Sequence, residues 1–226
     1  MTTRATVIET GQNQGSKTHA FTLIELLIVL NVVLYFFWVA APSFNSIARG
    51  VTTTEAAYTI SSAVERARAE AVARKSYVWL GIQQEVNDGN IGLRVGMVCS
   101  KDGTSNTNAS NLLPIGMALL VPRVGLTNSS STAVSTGAPT TGAVDLSWVS
   151  GGMSFQIGQT KFLDGRTITF MPLGEVTTNP TPTATSGFDP LLMISIQQAR
   201  GTNLTPGDNV SVAIEGSVGI PTIYRQ

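Results

Sequence analysis

Histidine and cysteine are almost missing from this chain of 226 residues, which has one of each, His19 and Cys99. A single cysteine forms no internal disulfide, so no disulfide framework holds the fold. Cys99 reads as a small buried apolar residue, not a reactive thiol. The lone His19 lies upstream of the first apolar segment. It leaves nothing for a histidine base, a catalytic triad or a zinc site. Charge is scarce too: Asp, Glu, Lys and Arg make up 12 % of the residues, where about 25 % is usual. The 14 cations balance the 14 anions, so no net field points to nucleic acid. Neither Ser-x-x-Lys nor Gly-x-Ser-x-Gly occurs, and no two carboxylates form a recognisable acid–base motif. An enzyme therefore has little to work with, and no cofactor is implied.

Against these absences stands one long apolar run, Phe21 to Ala41, FTLIELLIVLNVVLYFFWVAA, with Pro42 behind it. It holds no Lys or Arg and one carboxylate, Glu25. As a helix at about 1.5 Å per residue it covers about 30 Å, the thickness of a bilayer's hydrocarbon core. The run predicts a membrane helix near the N-terminus. Pro42 removes a backbone donor and crowds the preceding turn, so a kink is expected there. The aromatic cluster Tyr35-Phe36-Phe37-Trp38 fits an interfacial belt. Glu25 costs about 2.5–3.5 kcal/mol at a bilayer centre, and less near the interface. On the residues alone it has either a partner or a place at the headgroup level.

Residues 1–20, MTTRATVIETGQNQGSKTHA, have no apolar core of their own. A candidate cleavage site lies before the apolar run, at Ala20–Phe21, not after it as in a secretory signal peptide. Arg4 and Lys17 make the segment mildly basic, which keeps it cytoplasmic and sends the C-terminal domain across the membrane. An ordinary single-pass anchor with a polar tail fits the same residues.

From Ser43 to Lys75 a second helical pattern runs. Val51, Ala56, Ile60, Ala63, Val64, Ala67 and Ala71 recur mostly at three- and four-residue steps, the mark of a stripe packed on a sheet. Arg66, Glu70 and Arg74 lie along the polar face, with Glu70–Arg74 a favourable i, i+4 pair. The mixed signs there mark a solvated face and not a nucleic-acid stripe. After Lys75 the period falls to two. Strands are expected at 76–82, 90–98, 116–124, 146–149, 153–157, 167–170, 191–196 and 210–214. Residues 101–111, 127–142 and 177–186 are low in complexity and read as exposed loops. Asp102, Asn106 and Asn108 do not follow a calcium-loop spacing, so no metal is expected there.

KTHA-FTLIELLIVL resembles the class III signal of type IV prepilins and type II secretion pseudopilins. The resemblance implies that a prepilin peptidase cuts after Ala20 and methylates the new amino group of Phe21. Glu25 then falls at the fifth mature position and Pro42 at the twenty-second, where that family carries its assembly glutamate and helix-kinking proline. The partner implied for Glu25 is the Phe21 amine of a neighbouring subunit. Ala20 stands where the family nearly always has glycine, which implies slower cleavage. Further along, ARAEAVARKSYV (67–78), TITFMPLG (167–174) and VSVAIEGSVGIPTIY (210–224) resemble the GspH/FimT group of minor pseudopilins.

The expected fold class is α+β: a pilin-like ladle whose long N-terminal helix, membrane-spanning in its first half, packs on an antiparallel β-rich head. The expected parts are a removed leader 1–20, a transmembrane or filament-core half 21–42, an amphipathic half 43–75 and a periplasmic head 76–226. The implied role is a structural minor pseudopilin of a type II secretion system, with a minor pilin of a type IV pilus (assembly priming or DNA uptake) as the alternative and a signal-anchored periplasmic enzyme as the less favoured reading. Partners implied are the prepilin peptidase, other pseudopilins or pilins, the inner-membrane assembly platform and, before assembly, the lipid bilayer. The implied location is the inner membrane, single-pass with the head in the periplasm. DNA capture is disfavoured because the cations do not cluster in the head.

Overall fold

The computed structural model describes residues 23–127, 143–146, 153–162, 166–183 and 187–225, and of residues 39–52 and 208 the backbone alone. The chain divides into two compact units, Met1–Asn45 and Ser46–Gln226, each taken by itself below.

The first unit holds the beginning of α1 (Leu23–Arg74). Its side chains at 23–38 are all exposed, although nearly all are apolar. The helix runs through Pro42, so the proline does not end it.

In the second unit the remainder of α1 is amphipathic. Ala56, Ala57, Ile60, Val64, Ala67 and Ala71 are fully buried, at the three- and four-residue steps expected of one face. The small alanines let the helix backbone lie close to the sheets. Glu70 and Arg74 pair at 2.7 Å on the outer face. Lys75, with φ of 52°, takes the left-handed turn that ends the helix, and Ser76 N–H donates to Ala71 O at 3.1 Å.

Thirteen strands follow among the described residues. The first sheet has the order β10-β9-β1-β2-β3, with β4 also on β2. Its strands are β1 (Val78–Asn87), β2 (Asn90–Ser100), β3 (Leu112–Pro114), β4 (Leu119–Pro122), β9 (Arg166–Phe170) and β10 (Val176–Thr177). β1 and β2 form a hairpin in register from Val78↔Cys99 to Asn87↔Asn90. Asp88 and Gly89 close it with φ of 49° and 73°, the pair of positive angles a tight hairpin turn needs. The second sheet has the order β13-β12-β11-β5, with β6 parallel to β11. It comprises β5 (Val124–Leu126), β6 (Ala143–Asp145), β11 (Leu191–Arg200), β12 (Asn203–Glu215) and β13 (Ile220–Arg225). β7 (Phe155–Ile157) and β8 (Thr160–Phe162) make a separate hairpin.

One core joins the buried stripe of α1 to the inner faces of both sheets. Leu80, Ile82, Ile168 and Phe170 enter from the first sheet, and Leu192, Ile194, Val212 and Ile214 from the second. Each such side chain contributes about 1.5–3 kcal/mol through burial. A second cluster lies on the opposite face of the first sheet, where Trp79 and Val98 meet Phe155, Ile157 and Phe162 of the β7–β8 hairpin.

The expected fold class is corrected by this architecture. The molecule is mainly antiparallel β, and its described helices are α1 and a single 3-10 turn at Ala109–Asn111. Among the described residues no helix is long and apolar enough to cross a membrane. The ladle with a membrane-spanning first half, and the single-pass inner-membrane placement drawn from it, are therefore withdrawn.

Candidate functional site

Of the residues singled out from the sequence, Ala20 and Phe21 lie outside the described residues, as does His19. Pro42 is helical in its backbone, and its side chain is not described. Glu25 sits in the first turn of α1, where a carboxylate is favoured by the helix dipole.

Around Glu25 the helix is apolar on every side. Exposure runs from 45 % at Val33 to 81 % at Leu23, and Trp38 is 76 % exposed. The one amide in the stretch, Asn31, donates its Nδ2 to Leu27 O at 2.8 Å and so satisfies itself within the helix. A soluble monomer rarely leaves a contiguous apolar patch above a few hundred Å² open to water, and such patches mark interaction surfaces. The surface offers hydrophobic contact all round and a single negative charge.

The head carries a second candidate surface, missed from the sequence. A groove of about 400 Å³ lies between α1 and the β4 edge of the first sheet, lined among others by Tyr58, Ala63, Arg66, Met117 and Leu119. Met117 is 92 % exposed and Tyr58 65 %. Gly116, at φ of 74°, turns the chain beneath Arg66, and a Cβ there would lie 3.4 Å from Nη2. A tyrosine on the polar face of an amphipathic helix was the available signal. On the far side of Tyr58 a second groove, lined by Ser61, Glu65 and Pro221 to Ile223, separates α1 from β13.

The other polar clusters stabilise local structure. Asp102 accepts from Ser100 Oγ, Thr104 N, Thr104 Oγ1 and Asn111 Nδ2 at 2.7–2.9 Å. These donors, the Thr104 amide first, hold its carboxyl well below the usual range, away from general acid–base duty. Asn111 is buried, and its Nδ2 also reaches Asn106 O at 3.0 Å. Residues 100–111 are thus tied from within, although they read from the sequence as a plain polar loop. Cys99 is buried, and burial pushes its thiol up while Arg74, whose Nη1 lies 3.8 Å from Sγ, opposes the shift. Among the described residues no group of three or more His, Cys, Asp or Glu is placed to hold a metal ion. Comparison with protein-family models, with curated protein sequences and with solved structures returns no match for this chain.

Proposed function

We propose that this protein is a structural subunit of a pilin-like filament, in the manner of a minor pseudopilin of a type II secretion system, and not an enzyme. One observation carries the reading: an apolar helix, exposed on all sides over 23–38, bears a single carboxylate five residues into the segment that starts at Phe21. An exposed apolar helix gains by association with others like it, at about 25 cal/mol per Å² removed from water. A carboxylate buried in such a bundle is stabilised by a cation, and the new amine of a neighbouring subunit's Phe21 supplies one. The reading places the head outside the cytoplasm, with the prepilin peptidase, other pilin-like subunits and their assembly platform as partners.

Two measurements test it. N-terminal sequencing of the cell-extracted protein, from a strain with an active prepilin peptidase, should begin at N-methylated Phe21. A protein that starts at Met1 sinks the reading. Glu25→Ala should leave the head folded and cut recovery of the subunit in sheared filaments about tenfold or more, as expected when a buried charge loses its partner. Normal incorporation of the variant removes the pairing account. A deletion strain scored for exoprotein release and for twitching separates a secretion role from a type IV pilus role.

A further inference from the structure

We infer that the groove between α1 and β4 of one copy receives the exposed apolar helix of a second copy, with Glu25 of that helix meeting Arg66. The inference rests on the filament-subunit reading and adds a specific docking surface on the head.

Charge and apolarity select both the groove and its occupant. Among 23–38 the only charged side chain is Glu25. The α1–β4 groove matches it with one charge of opposite sign, Arg66, amid Tyr58, Ala63, Met117 and Leu119. Among the described residues Arg66 belongs to neither the Arg74–Glu70 nor the Arg94–Glu85 ion pair. The groove on the other side of Tyr58 carries Glu65 and no cation, so it would repel Glu25. The hollow at the end of α1 is lined by Arg74, Lys75, Lys101 and Asp102, a polar and mixed-charge surface poorly suited to an apolar helix. Met117, Tyr58 and Leu119 all gain from being covered, since they stand 92 %, 65 % and 50 % exposed. A guanidinium and a carboxylate brought together in this groove form a charge-assisted hydrogen bond. The carboxylate has two oxygens, so the amine of Phe21 and Arg66 are not exclusive partners.

The test uses two differently tagged full-length copies expressed together, one with Leu26→Cys and the other with Met117→Cys. Both positions are exposed, at 62 % and 92 %, so neither substitution disturbs a core. Cys99 is 1 % exposed and stays out of the reaction. Mild oxidation should give a disulfide-linked dimer carrying both tags. Arg66→Glu in the Met117→Cys copy should lower the yield about tenfold, and Glu25→Lys in the other copy should restore it. Thermal unfolding of the head checks that Arg66→Glu leaves the fold intact. The inference is overturned if no two-tag dimer forms or if the yield ignores the charge reversal. It is equally overturned if both cysteines link only when carried by one copy, which would assign the groove to the chain's own helix. A chain that begins at Phe21 but gives no such dimer sinks the groove alone. A dimer from a chain that begins at Met1 sinks the pilin-like processing alone.

Discussion

Gly81 and Gly96 face each other across β1 and β2, and their missing side chains make a seat for two phenylalanine rings. Phe155 and Phe162 stack there with centroids 4.6 Å apart. A Cβ on Gly96 would lie 2.6 Å from the Phe162 ring and 2.7 Å from Ile157, closer than real Cβ contacts allow. Phe162 is fully buried, so its ring has no open side to swing into. Gly96→Val should therefore destabilise the head by about 1–3 kcal/mol, the usual cost of overpacking. Urea unfolding checks this, and an unchanged midpoint would mean the β7–β8 hairpin is not held on that face. The two-residue alternation of the strand expected at 76–82 puts Tyr77, Trp79 and Gly81 on one face, where Tyr77 stacks on Trp79 at 6.3 Å. It did not show the seat, because a glycine inside a strand pattern reads equally as a weak point or a bulge. Asn111 was hidden for a similar reason: nothing local distinguishes the one buried asparagine of the loop from its exposed neighbours at 106 and 108.

At the scale of elements, periodicity carried most of what was legible. The stripe from Ala56 to Ala71 and the parity of β1, β2, β11 and β12 follow directly from apolar spacing, since an amphipathic element has one way to face a core. The single strand expected over 116–124 is instead β4 and β5, broken at Arg123, where φ is 61°. The break moves the chain from the first sheet to the second, and an arginine gives little local sign of it. β3, β8 and β10 are two or three residues long and too short to show a period. The threonine- and proline-rich segment 177–186 read as an exposed loop. Yet Trp79 Nε1 donates to Pro180 O at 2.8 Å, and Thr169 Oγ1 to Asn179 O at 2.8 Å. Both bonds tie part of that segment to the first sheet, and the first joins residues 101 apart in the chain. A low-complexity segment has no internal pattern that announces a distant anchor.

For the whole molecule, the apolar run was visible at once, but length and hydropathy in the sequence were read as a bilayer span. The described helix exposes that apolar surface over 23–38 and contributes none of those side chains to the head's core. The division of the chain at Asn45–Ser46 fits this separation of duties. It yields the last prediction. Replacing Leu27, Leu30 and Leu34 by serine alters side chains that are 54–57 % exposed and absent from the core. Surface changes of this kind move stability by no more than about 0.5 kcal/mol. The head's thermal unfolding should therefore stay where it is in the triple variant, while sedimentation of the full chain should show self-association lost. The three leucines would then act only between copies. Should the unfolding midpoint fall by several degrees instead, the helix is part of the head's own stability, and the apolar surface is not held in reserve for a partner.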